Sequence, residues 1–214
     1  MKELNVPTTQ VDFALRRTAT ALSIAILTLT LIGVITGVLL SFYYEPVAGA
    51  AFKSLQTITT TVSYGWLFRK MHTLAGYGVI TIALIQIVVM FLGRQFTSSW
   101  LFAWFSGILF TLSAIGLAWT SMSLGWDQDG YWRFNIELGT INSIPLIGPQ
   151  LRDILTGGGA ISTLTIQHLY TIHSYIVSTG ALILAILHLS GLVWQEKEMS
   201  ETQSIAEVTP SIAE

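Results

Sequence analysis

The 214-residue chain contains no cysteine. Disulfides, thiolate metal sites, iron–sulfur clusters and a haem attached through C-x-x-C-H are therefore excluded. Charge is scarce as well. Asp, Glu, Lys and Arg make up 10% of the residues, against about 25% in an average soluble domain. The net charge of −2 at pH 7 provides no basic surface for phosphates, so nucleic acid is not a partner. Hydrophobic residues reach 52%, which excludes a disordered chain and an ordinary cytosolic enzyme. What remains is an integral membrane protein of one domain, residues 1–214. The question is what its few polar groups do inside lipid.

A bilayer core takes about 20 residues of helix. Four apolar stretches meet that length, at about 20–43, 73–93, 101–123 and 171–194. The first follows Arg16-Arg17 and is too long for a signal-peptide apolar region, so it reads as a retained span. A short polar turn around Gly93-Arg94-Gln95 joins the second span to the third. Glu45 to His72 joins the first two, and its apolar spacing predicts an amphipathic surface helix near 47–60. Gly125 to Tyr170 joins the last two. It carries Ser143-Ile144-Pro145-Leu146-Ile147-Gly148-Pro149 and a short amphipathic helix at 150–156, which Gly157-Gly158-Gly159 ends. A connection of that length is functional or interfacial. The tail, 195–214, is polar and glutamate-rich and reads as mobile. The architecture is all-α: a four-helix membrane bundle with surface helices in two connections and both termini on one side. Lys2, Arg16, Arg17, Arg94 and Lys197 flank the terminal side, against Lys53, Arg69, Lys70, Arg133 and Arg152 on the other. That balance leaves the orientation open.

All four histidines, His72, His168, His173 and His188, lie in or beside the second and fourth spans. Ionisable groups at membrane depth are expensive and mark function by default; the bland alternative is a hydrogen bond to a neighbouring helix. Spacing weighs against the bland reading. His173 and His188 are separated by about 22 Å of helix and roughly 60° of rotation. They share a face and sit near opposite membrane surfaces. The second and fourth spans run parallel, so His72 lies level with His173. Two imidazoles facing across a bundle make a bis-His haem site, and without cysteine that haem is b-type. The position opposite His188 is Gln86, a poor ligand for haem iron, for which an interhelical hydrogen bond, to His188 for instance, is the better reading.

Small residues complete the pattern, because backbone must pass close to a flat macrocycle. Gly37 and Ser121 lie at the loop-side depth, Ser23 and Gly107 at the terminal-side depth. Generic small-residue packing accounts for any one of them alone. Arg69, one turn before His72, suits a haem propionate or simple snorkelling to the interface. Trp66, Trp100, Trp126, Trp132 and Trp194 read as aromatic belts at the membrane boundaries.

These residues are similar to those of a known family. Phe42-Tyr43-Tyr44-Glu45-Pro46, Gly65-Trp66-Leu67-Phe68-Arg69 before His72, and Trp126-Asp127-Gln128-Asp129-Gly130-Tyr131-Trp132 match in order and spacing. So do Ile144-Pro145 to Gly148, Tyr170 to His173, and His188. Over almost its whole length the chain resembles the cytochrome b6 and N-terminal cytochrome b family. The resemblance implies a b-type haem subunit carrying electrons in a quinol-linked complex, with two haems held by His pairs on the second and fourth spans. It implies a bacterial cytoplasmic or thylakoid membrane, with both termini on the negative side. Implied partners are quinone, a subunit IV-like chain, a Rieske protein or a larger bioenergetic complex, a second copy as homodimer, lipid, and carotenoid or chlorophyll.

Departures cluster on the negative side. The family's ligand falls on Gln86, a propionate-pairing Arg on Val89, a first-span Gly on Ser23, and a Cys holding an extra haem on Ala21. Elsewhere a Gly falls on Ser121, a Pro on Gly125 and an Arg on His168. The expectation is one haem at His72/His173 and a degenerate second site, which is empty, held by His188 alone, or filled by another ligand. The alternative is a structural or pigment-holding subunit with no turnover of its own.

Overall fold

The computed structural model describes residues 10–93 and 98–212, with side chains up to residue 201. Eight α-helices and one π-helical turn account for most of it, with no strand among the described residues. They are α1 (Gln10–Ser41), α2 (Ala51–Thr60), α3 (Gly65–Leu92), α4 (Ser98–Leu124), α5 (Gln128–Asn142), α6 (Gly148–Thr156), α7 (Thr163–Thr171) and α8 (Ser178–Ile212). The π turn, Ile172–Val177, joins α7 to α8. Four helical stretches are long and apolar enough to cross a membrane: α1, α3, α4 and Thr163–Glu201.

The bundle is all-α, as expected, and the spans run past their apolar cores. α1 begins ten residues before the apolar run, so Arg16 lies inside it. α8 continues as helix to Ile212, because Ala, Glu, Gln and Lys are good helix formers. Threonine and serine hydroxyls in the spans bond back to carbonyls one turn earlier, as at Thr28, Thr81 and Ser113. With no water at that depth, this is how they are satisfied.

The core is layered along the membrane normal. Ala19, Met90, Trp100, Ala103 and Leu192 pack at the terminal end. Ile26, Val79, Ala83, Phe110, Ala114, Ala181 and Ala185 fill the middle. Ala51, Leu124, Phe134, Leu138, Ile166 and Leu169 close the loop side. Trp100 is thus a core residue and not part of an aromatic belt, while Trp66, Trp132 and Trp194 stay exposed.

Two devices build the loop side. Gly65 follows Tyr64, whose φ is 59°, and a Cβ at Gly65 would stand 2.0 Å from the Ile58 carbonyl oxygen. Only glycine lets α2 fold back so tightly onto α3. Asp127 caps α5 by accepting from the Gly130 N–H at 2.8 Å, a cap worth about 1 kcal/mol. The sequence pattern assigns no helix to 128–142, where α5 lies. Its helical signal is weak, diluted by Gly130, Gly139, Asn135 and Asn142. The spacing of Phe134 and Leu138, both buried, and the Arg133–Glu137 pair at 2.8 Å were the available clues. Tyr44 ties the first connection to this layer through its hydroxyl, which donates to the Leu124 carbonyl at 2.9 Å. Burial holds that phenol above its ordinary pKa, with Tyr170 adding to the shift.

Candidate functional site

His72 and His173 meet between the middle and loop-side layers. Their ring centroids are 6.3 Å apart and their planes cross at 62°. His72 reaches across to α1, with Nδ1 2.9 Å from the Gly33 carbonyl oxygen and 3.1 Å from Thr36 Oγ1. A carbonyl only accepts, so Nδ1 carries the proton and Nε2 keeps its lone pair. His173 Nδ1 lies 2.8 Å from Thr120 Oγ1 on α4. The Thr120 proton already goes to the Gly116 and Leu117 carbonyls. His173 is therefore the donor, and its Nε2 is bare as well.

Gly37 makes room for this arrangement. A Cβ there would lie 3.1 Å from His72 Cε1, so a side chain would push on the imidazole. The π turn carries His173 itself. Such turns insert one extra residue and recur at functional sites; the helical arithmetic between His173 and His188 did not include it.

Three expected members of this site behave differently. Ser121 faces outward and donates to the Ala118 carbonyl. At 100° per residue, its predecessor Thr120 takes the inward position. Arg69 is drawn to α2, donating to Thr59 Oγ1 at 2.7 Å and to the Leu55 carbonyl at 3.5 Å. His168 stands apart, with Nδ1 3.0 Å from the Ile154 carbonyl oxygen, fastening α7 to α6. Thr36, Thr120 and the Gly33 carbonyl were missed by sequence reasoning. Backbone acceptors leave no residue signature, and inward threonines look like any others.

The terminal-side pair is unlike the first. His188 is 1% exposed. Its Nδ1 donates to the Ala103 carbonyl at 2.8 Å, and its Nε2 has no partner. Gly107 is pressed against it: a Cβ there would fall 2.7 Å from Cε1. Gln86, 3% exposed, does not bond to His188. Its Nε2 donates instead to the Ala19 carbonyl on α1, at 2.8 Å. A cavity of about 10 Å³ lies between them, lined also by Ala83, Met90 and Gly107, with room for about one water. Among the described residues no cluster of three or more His, Cys, Asp or Glu could hold a free metal ion.

Residues 15–196 match the family model of cytochrome b/b6. The chain belongs to the cytochrome b/b6 family. Cytochrome b6 of Auxenochlorella protothecoides is 31% identical over 158 residues, which is 74% of either chain. Cytochrome b6 of Cyanidium caldarium is 31% identical over 162 residues, covering 76% of this chain and 75% of the relative. A chain of a hyperthermophilic respiratory complex III superposes with a TM-score of 0.66 at 23% identity, covering 88% of this chain and 48% of that one. At that identity the superposition speaks for the fold. With four spans and this family, the chain is an integral membrane protein.

The family implies haem b, and the two sites fit it differently. A metal–imidazole nitrogen bond is about 2.0–2.1 Å. Counting roughly 1.1 Å more from each nitrogen to its ring centre, two imidazoles sharing one metal stand just over 6 Å apart, as His72 and His173 do. Both offer a bare Nε2 and a pinned Nδ1–H, the orientation that ligating histidines need. The terminal-side site lacks a second imidazole, and Gln86 is committed to α1. Those residues do not fit a bis-His haem.

Proposed function

We propose that the chain is a transmembrane electron carrier of a quinol-linked complex, with one haem b between His72 and His173. The observation that supports this most is the 6.3 Å spacing of two imidazoles whose Nδ1 protons are already engaged. Bound there, the haem supplies a one-electron carrier. The residues do the rest. The Gly33 carbonyl and Thr120 Oγ1 fix both ring orientations and make each Nε2 more basic. Gly37 leaves space for the His72 ring. The loop-side layer, sealed by Phe134, Ile166 and Leu169, separates the site from water. Arg69 is held by α2 at the membrane edge, where a propionate can recruit it.

The termini lie on the negative side in this reading and the α2 and α5–α6 connections on the positive, donor side. A second membrane subunit, a Rieske-type acceptor and a second copy of the chain complete the assembly. With the His188 site lacking its haem, an electron at His173 faces about 22 Å of helix to the terminal side. Ordinary bifurcated quinol oxidation across the membrane does not follow. Electrons entering from quinol leave on the donor side, or through a carrier on a partner.

A second reading treats the chain as a structural subunit of a larger bioenergetic complex; the commitment of Gln86 to Ala19 favours it. Adding a short-chain quinol to the complex in its native membrane separates the two. The carrier reading expects the haem difference spectrum to appear with quinol as fully as with dithionite. No reduction by quinol, with full reduction by dithionite, sinks that reading in favour of the structural one.

A further inference from the structure

At the terminal-side end of the bundle sits a charge with no ion-pair partner among the described residues. Arg16 on α1 is 2% exposed, and its Nε and Nη2 have no hydrogen-bond partner. Among the described ion pairs none includes it; the neighbouring Arg17 takes Glu196, at 3.3 Å. Asp12, one turn earlier, bears on Arg16 through its charge. On α8, Gln195 is also 2% exposed, and neither its amide oxygen nor its nitrogen has a partner.

The two groups occupy one level. Ala19, one turn after Arg16, and Leu192, one turn before Gln195, pack in the same buried layer. α1 runs away from the terminal side and α8 towards it, so Arg16 and Gln195 both lie one turn outward of that layer. The Arg17–Glu196 bridge joins the helices at the next residue of each.

A buried guanidinium without an anion is costly, and so is a buried amide without partners. Together on facing helices they describe a site for a polar group that the described residues do not provide. A guanidinium selects an oxyanion and holds two oxygens at once. The Gln195 NH₂ donates to a third oxygen, which suits tetrahedral phosphate better than a two-oxygen carboxylate. The level is that of the headgroups, just outside the apolar layer. Exposed Trp194, one residue inward of Gln195, offers apolar surface to acyl chains. We infer that Arg16 and Gln195 hold a phosphate, carried by a phospholipid headgroup seated between α1 and α8. With both side chains shut off from water, the lipid is incorporated as the bundle forms and survives purification. This site is independent of the haem assignment.

The test is bound phosphorus on the full chain, purified in phosphate-free mild detergent and extracted with chloroform–methanol. Wild type is expected to carry one lipid phosphorus per chain in the organic phase, with the matching mass in native mass spectrometry. Arg16→Met and Gln195→Leu each lower retention about tenfold or more, while Arg17→Met leaves it unchanged. Circular dichroism checks the fold; Gln195→Leu, which keeps every charge, serves if Arg16→Met does not fold. Phosphorus confined to the aqueous phase overturns the lipid as source in favour of free phosphate. No bound phosphorus in wild type, or equal retention by both variants, overturns the site.

Discussion

His173→Leu abolishes haem binding while leaving the bundle folded. The pyridine haemochrome signal per chain drops to below about a tenth of wild type, since loss of a supporting contact alone already costs roughly 10–100-fold in metal affinity. The helical circular dichroism is unchanged. Leucine fills much of the imidazole volume, and the surrounding packing comes from Leu169 and Ala181 in the layers on either side, not from the ring. His72→Leu behaves the same way. If either variant keeps a full low-spin haem, the ligand pair is misassigned.

Gly37→Val is the second large effect, and it acts without touching a ligand. The valine Cβ would lie 3.1 Å from His72 Cε1, and its two further methyls crowd the ring. Overpacking of this kind costs about 1–3 kcal/mol. The ring yields by leaving the Gly33 carbonyl and Thr36, which frees its orientation and tautomer. Haem retention in detergent falls roughly 10–100-fold, as for other losses of supporting contacts. Gly76→Val is the matched control: nothing lies within 4 Å of a Cβ there, so haem content stays at the wild-type level. Equal effects of the two variants would show that generic helix packing, and not room for His72, is what the glycine provides.

Much of this was legible in the sequence. Four spans, the parallel course of the second and fourth, and the pairing of His72 with His173 all follow from apolar length and helical rise. Gln86 was recognisable as the odd residue opposite His188, and as a group that bonds between helices. Its partner was not, because the Ala19 carbonyl belongs to the backbone and any residue at 19 would offer it. Ser121 looked as suitable as its neighbour until the helix phase turned Thr120 inward. The π turn around His173 has no marker, since Ile172–Val177 mixes β-branched and polar residues as the helix before it does. α5 was hidden by its glycines and asparagines. The helix in the tail was hidden because its charges suggested solvation, yet a charged sequence rich in helix formers continues a helix already nucleated by the span before it.

The most direct test of the account is the haem-to-polypeptide ratio of the purified chain, measured by pyridine haemochrome with a reduced-minus-oxidised spectrum. Gln86 is spent on Ala19, and no second imidazole faces His188, so the account predicts one low-spin haem b per chain. Two haems per chain would contradict the loss of the terminal-side site, and none would contradict the His72–His173 pair.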